Sequence, residues 1–283
     1  MNGILLINKP KNMTSRDVVN RICKILNTNK IGHTGTLDPI ATGVLVLCIG
    51  KYTKLVDLIT NLEKEYIATV LIGKETDTLD ITGNIINESN QKIDKLKLEY
   101  ALNSFLGKYN QEVPIYSAVK VNGKKLYDYA RNNEDVVLPK KEVEIKNIQL
   151  IDYKETEFSF KVKVSKGTYI RSLIKDISNY TKIPMCMKEL VRVKQGNFKL
   201  EDCFNIENVQ NNDYKLLEIK DVLNYPIVKI DSADLEFKIK NGAIIDNVFN
   251  KDIIMFELNN EIIAIYKKYS KDKNKLKPYR MFL

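Results

Sequence analysis

Residues 30–45 read KIGHTGTLDPIATGVL, and the fold turns on how this stretch is read. Gly32, Thr34, Gly35, Thr36 and Pro39 crowd its first ten positions, which predicts a shaped loop rather than a helix or strand. Downstream, 44–49 (VLVLCI) is a short apolar run that predicts a buried strand. Upstream, Val18, Val19, Ile22, Ile25 and Leu26 recur at helical spacing behind a Thr14 or Ser15 cap, with basic residues on the other face. Before that helix, residues 4–7 (ILLI) predict a second buried strand, ended by the loop Lys9-Pro10-Lys11-Asn12. The 30–39 loop is therefore slung between a helix and a strand that both face a core.

Further along, 66–72 (YIATVLI) predicts another buried strand, with a helix before it carrying Leu55, Val56, Leu58, Ile59 and Leu62 on one stripe. Leu96, Leu98, Ala101, Leu102 and Phe105 mark a further helix. Over 156–165, Phe158, Phe160, Val162 and Val164 alternate with Ser159, Lys161 and Lys163, the pattern of a half-buried strand. After Lys166-Gly167-Thr168 the period changes, and Ile170, Leu173, Ile174, Ile177 and Tyr180 predict a helix. Tyr169 and Arg171 thus stand at a strand-to-helix junction. Beyond Asn224-Tyr225-Pro226, runs at 253–258 and 261–266 flank Asn259-Asn260 and predict a hairpin, and 227–283 reads as a small, basic, β-rich appendage. The expected fold class is α+β, without internal repeats.

Composition narrows the function. The chain has 283 residues, 45 Lys+Arg and 36 Asp+Glu, a formal charge of +9 that points to a polyanionic partner. The longest apolar run, Gly43 to Ile49, is seven residues against the roughly 20 a spanning helix needs, and residues 1–10 lack a signal-peptide pattern. A cytoplasmic location without membrane attachment is expected. His33 is the only histidine, and Cys23, Cys48, Cys186 and Cys203 form no C-x-x-C pair, so no metal site is expected. The run from Gly43 to Lys51 has the wrong spacing for a phosphate-binding loop and lacks its Ser or Thr, so ATP or GTP binding there is rejected. Gly32-x-x-Gly35 fits the backbone clamp of KH modules, but two glycines alone are weak support. Asp38-Pro39 has two readings: an N-cap with proline at the first helical position, or a reactive carboxylate kept ionised by a cation from elsewhere.

The residues from Gly32 to Pro39, with Ala41, Thr42, Gly43, Val44 and Leu45, resemble the signature of the TruB family of bacterial tRNA pseudouridine synthases. Collinear segments agree: Leu6-x-x-Lys9-Pro10, Lys64-x-Tyr66, Gly73-x-x-Thr76-Asp77-Thr78-x-Asp80-x-x-Gly83, Tyr116 to Lys120, and Ser165 to Arg171. The likeness covers about residues 4–200 and fades beyond, where Pro278-Tyr279-Arg280 alone suggests the family's ending. It implies a pseudouridine synthase fold with a mixed, largely antiparallel central sheet flanked by helices. It also implies a catalytic domain over 1–225 and a small PUA-like or TruB-type C-terminal RNA-binding domain over 226–283.

The resemblance implies isomerisation of uridine 55 in the T loop of tRNA, with no cofactor. Asp38 matches the family's nucleophile, Arg171 the arginine that pairs with it, and Tyr66 the tyrosine that stacks on the target base and handles a proton. Tyr169 and Leu190 match positions lining the uracil pocket, and His33 the histidine that fills the space left by the flipped base. Lys9 is expected to contact RNA. About residues 107–140 would form a mobile thumb, where Lys120, Lys124, Lys125 and Arg131 are interleaved with tyrosines, a composition suited to phosphates and splayed bases. On periodicity, Tyr127 and Tyr129 could instead face a core. The T stem-loop of tRNA is the expected partner of a monomer needing no protein partner. A non-catalytic RNA-binding or RNA-chaperone protein using the same cleft is the alternative, and it would tolerate Asp38→Asn.

Overall fold

The computed structural model describes residues 1–283. The chain opens with β1 (Gly3–Lys9), α1 (Ser15–Ile25), β2 (Ile31–His33) and β3 (Thr42–Ile49). Thr14 caps α1 and exchanges hydrogen bonds with Asp17 in a capping box. A 3-10 turn over Gly50–Leu55 leads to α2 (Val56–Thr60), then β4 (Lys64–Ile72) and the small hairpin β5 (Lys74–Thr76) and β6 (Ile85–Glu88). After α3 (Lys95–Asn103) come β7 (Gly107–Glu112), β8 (Lys120–Val121), β9 (Lys124–Lys125) and α4 (Leu126–Arg131). Then follow β10 (Lys140–Tyr153), β11 (Glu157–Val164), α5 (Ile170–Thr181), β12 (Met185–Gln195) and β13 (Phe198–Lys199).

Nine of these strands form one sheet in the order β1-β3-β12-β4-β11-β10-β7, with β2 paired to β3 and β13 to β12, while β5–β6 and β8–β9 are separate hairpins. Every pairing is antiparallel except β3 with β12, which touch only at Val191 opposite Thr42 and Arg192 opposite Gly43. The fold is a mixed, largely antiparallel sheet flanked by helices, as expected. One core lies between the α3 and α5 side and β4, β11 and β12, and includes Phe158, Phe160, Val162 and Val164. A second joins Leu5, Ile7, Leu45 and Leu47 to the apolar face of α1. The opposite faces of β1 and β3, carrying Ile4, Leu6, Val44 and Val46, pack on Met255, Ile265 and Phe282. Burial on both faces is why ILLI and VLVLCI read as unbroken apolar runs.

After α6 (Ile206–Gln210) and α7 (Ile219–Val222), the chain builds a five-stranded sheet, β14-β16-β17-β18-β15, from residues 227–281. Its parts are β14 (Ile227–Lys229), α8 (Ala233–Lys240), β15 (Ile245–Asp246), β16 (Ile253–Leu258), β17 (Glu261–Tyr269) and β18 (Asp272–Met281). Asn259 and Asn260, with φ of 51° and 66°, form the two-residue turn between β16 and β17.

Several local expectations need correction. The 30–39 loop begins as a strand, because Ile31 to His33 pair with β3. The helix before β4 is a 3-10 turn that buries Leu55 followed by the five-residue α2 that buries Ile59, and the other apolar positions stay partly exposed. Leu96 and Tyr180 lie outside the core, since α3 turns Leu98, Ala101 and Leu102 inward and α5 turns Leu173, Ile174 and Ile177 inward. The 227–283 appendage ends in strand β18, where Leu276 and, just after it, Phe282 are buried, so its end packs into the core.

At the parallel junction Gly43 has φ +104°, and a Cβ there would stand 2.3 Å from the Arg192 carbonyl oxygen. Gly107 has φ +97° but nothing within 4 Å. Gly43→Ala should therefore cost more than the roughly 1–3 kcal/mol of backbone strain alone, and Gly107→Ala about that strain. Denaturant unfolding of the two variants checks the order; equal losses would show that the close approach is not limiting.

Candidate active site

The loop from Thr34 to Ala41 is held at several of its backbone groups by hydrogen bonds from neighbouring elements. The Thr34 N–H donates to Val46 O (3.1 Å), and Gln195 Nε2 donates to the Thr34 hydroxyl at 2.8 Å and its carbonyl at 3.2 Å. Arg192 Nη2 donates to the Gly35 carbonyl at 3.0 Å. The Leu37 N–H donates to the buried Ser15 hydroxyl at 2.8 Å. Ala41 N–H closes a turn onto the Asp38 carbonyl, and Asn12 N–H donates to Pro39 O at 2.8 Å. No helix starts at Asp38, so the N-cap reading falls; the turn aims its side chain into a cavity.

There Asp38 meets Arg171, 133 residues away. Arg171 Nε lies 2.9 Å from Asp38 Oδ2 and Nη2 lies 3.0 Å from Oδ1, a bidentate fork. Arg171 Nη1 also donates to the Thr78 carbonyl and Nη2 to the Tyr116 carbonyl, both at 3.2 Å. The guanidinium is almost wholly buried, while the carboxylate keeps 31% of its side-chain surface open to the cavity. One buried cation thus fixes the carboxylate, the turn between β5 and β6, and the base of the 107–140 segment.

The cavity holds about 540 Å³, within the size range of small-ligand pockets, and Asp38, Tyr66, Tyr169, Arg171 and Leu190 all line it. Tyr66 and Leu190 belong to the main core as well, so the packing and site readings hold together for both. Tyr169 precedes α5, and Gln111 grips its backbone from both sides, accepting from the N–H at 2.8 Å and donating to the carbonyl at 3.1 Å. Burial pushes the Tyr169 phenol up. A groove of about 660 Å³ between α3 and the end of α5 is larger, but none of these groups lines it.

His33 ends β2 beside the cavity and does not line it. Burial, then Arg16 and Arg192, push its imidazole below the usual range, which favours a neutral ring. In the 107–140 segment, Tyr127 lines the cavity rather than the core. Lys125 and Arg131 lie over its ring at 5.1 and 5.2 Å, and Lys124 lies over Tyr129 at 4.8 Å while pairing with Glu134. Lys120 and Arg131 are exposed.

Lys9 departs from expectation. It is fully buried, and its ammonium donates to the carbonyls of Pro10, Met13 and Pro39, so it braces the Asp38 loop from behind and has no surface for RNA. Arg192, Gln195, Gln111 and Lys64, all buried around the site, were missed. Lys64 belongs to the Lys64-x-Tyr66 segment, and Arg192 stands two residues after Leu190.

The profile of the TruB family pseudouridylate synthase N-terminal domain matches residues 23–170, more than half of the chain. The chain belongs to the TruB family. Proteins named tRNA pseudouridine synthase B from Bacillus cytotoxicus and Staphylococcus aureus are 38% and 40% identical to this TruB-family chain. The alignments cover 100% and 99% of it and 98% and 99% of those relatives. Among solved structures, an H/ACA RNP bound to a substrate RNA containing 2′-deoxyuridine and a Cbf5-Nop10-Gar1 complex each superpose with a TM-score of 0.72. Identities are 23% and 24%, and each match covers 99% of this chain and 85% of the other. They establish the pseudouridine synthase fold of this TruB-family member.

Burial pushes Lys9 down to about 8, with Asp38 opposing and Arg192 adding to the shift; Lys64 is likewise pushed to about 8. A lysine depressed in the fold binds fewer protons than the unfolded chain between about pH 8 and 10.5, so stability gains from these groups as pH rises through that window. Lys9→Met should reduce the pH-dependent gain without abolishing it, because Lys64 titrates alongside. Unfolding free energies at pH 7.5 and 10 check this, and an unchanged slope would refute it.

Proposed function

We propose that the chain converts uridine 55 in the T loop of tRNA to pseudouridine, with Asp38 as the essential carboxylate. The observation that carries this reading is the bidentate Asp38–Arg171 pair set in a nucleotide-sized cavity of a TruB-family fold. The reaction breaks the N1–C1′ bond, turns the freed uracil and forms a C5–C1′ bond; C5 loses a proton and N1 gains one, so nothing is added overall. The half-open Asp38 carboxylate suits each route by which a base or nucleophile could act here, at C1′, at C6 or on the C2′ proton. Arg171 holds it in one orientation and supplies the opposite charge. Tyr66 offers a flat face to the base, and Tyr169 and Leu190 close the pocket around it.

A stacked T-loop uridine must leave its helix to reach Asp38. His33, beside the cavity with a ring favoured neutral, suits the role of filling the vacated place in the RNA. Tyr116 and Tyr127 line the cavity, and Lys125 and Arg131 lie over the Tyr127 ring, where they can meet phosphates and bases of the loop.

Tritium release from a tRNA transcript labelled at uridine C5, without added metal or nucleotide, tests the reading. Wild type should release one equivalent per tRNA, and Asp38→Asn should lower the rate by about 10²–10⁴-fold or more with binding retained. Tight binding with no release by wild type would favour the chaperone reading, and release by Asp38→Asn would remove the carboxylate from the chemistry.

A further inference from the structure

The cavity holds more positive charge than the isomerisation uses. Besides Arg171, it is lined by Lys64, Lys141, Lys166 and Arg192, and its one carboxylate, Asp38, is already paired with Arg171. None of the four has a carboxylate within ion-pairing distance. Neighbouring strands show the contrast, for there Glu63 takes Lys146 and Lys163, and Glu65 takes Lys161.

Two of the four form the floor. Lys64 and Arg192 are 6% and 1% exposed. The Lys64 ammonium donates to the carbonyls of Thr60 and Leu62, which leaves one of its three N–H groups free. Arg192 uses Nε on Val44 O (2.7 Å) and Nη2 on Gly35 O, which leaves Nη1 without a protein acceptor. The other two form the rim. Lys166 donates to Asn61 Oδ1 at 2.6 Å, and Lys141 lies directly over Gly167, where a Cβ would stand 1.9 Å from its nitrogen. Gly167, at φ +78°, is the one residue of that turn bare enough to let the ammonium approach. Burial first, and then repulsion from Arg192, Lys166 and Lys141, push Lys64 down to about 8. Gathering these charges without an acid is unfavourable in the free protein, and an incoming anion relieves it.

We propose that Lys64, Arg192, Lys141 and Lys166 form a phosphodiester subsite that holds the RNA backbone phosphates flanking the nucleotide inserted at Asp38. This rests on the reading of the cavity as a uridine site in RNA. A nucleotide turned into the cavity carries its phosphates toward a poorly hydrated wall, where an unmatched charge is costly. Free donors of Lys64 and Arg192 meet them from below, and Lys141 and Lys166 enclose them from the rim.

The test uses T-arm hairpins in which the phosphate on either side of the target uridine is replaced, one at a time, by a neutral methylphosphonate. Wild type, Lys166→Gln and Lys141→Gln are assayed on each; both side chains are exposed, and thermal midpoints check that the variants fold. Wild type should lose about tenfold in kcat/KM on at least one neutral hairpin, and each variant a similar factor on the natural one. Combined, the losses should not add, because the second change removes a partner already missing. Fully additive losses, or variants as active as wild type, would overturn the subsite. Inorganic pyrophosphate is the second arm: it should compete with the hairpin in wild type and lose potency in both variants. Competition by pyrophosphate together with additive hairpin losses would identify a free-anion site and overturn the phosphodiester assignment. Failure of wild type to make pseudouridine in the natural hairpin would instead remove the uridine reading, and the proposal with it.

Discussion

The close approach of β3 and β12 at Gly43 and Arg192 governs this structure. Two antiparallel half-sheets, one built on β1 and β3 and the other on β4, β10 and β11, meet there through two parallel residue pairs. The junction is so tight that a side chain at position 43 would collide with the Arg192 backbone. From this single contact the site follows. β12 delivers Leu190, Arg192 and Gln195, and β3 is entered through the loop carrying Asp38. Arg192 and Gln195 reach across the junction to hold the carbonyls of Gly35 and Thr34. The seam that joins the half-sheets also fixes where the carboxylate stands.

Arg171 performs a similar joining task with charge. Its planar fork satisfies two carboxylate oxygens while its remaining N–H groups hold carbonyls from Thr78 and Tyr116. A lysine has neither the fork nor the spread to reach three segments. The consequence is mechanical: displacement of the chain at Tyr116, at the base of the segment that flanks the opening, acts on the same guanidinium that orients Asp38.

Much of this was legible. The two-residue alternation of Phe158 to Val164 and the change of period at Ile170 located β11 and α5, because each buries one face against one core. Asp38, Tyr66, Tyr169, Arg171 and Leu190 do converge on one cavity, though family likeness rather than periodicity singled them out. Illegible features share a cause: they depend on three-dimensional solvation. Lys9 in a Pro-flanked loop looks like a surface cation until its three carbonyl partners are seen, and Leu96 looks like core until α3 is rotated by its neighbours.

The manner in which the buried cations are solvated completes the electrostatic logic. Lys9, Lys64 and Arg192 are all buried, and in each the charge is met by backbone carbonyls rather than a carboxylate. A carboxylate would offset the desolvation cost more fully, yet it would also cancel the field. Carbonyl dipoles lower the cost while leaving the net charge in place, at the expense of lysines depressed to about 8. The wall around Asp38 therefore stays positive although much of it is sealed from water. A fold selected only for stability would gain by placing a glutamate among these groups. Their isolation from acids, in a chain that pairs its lysines freely elsewhere, is what a cleft for a polyanion requires.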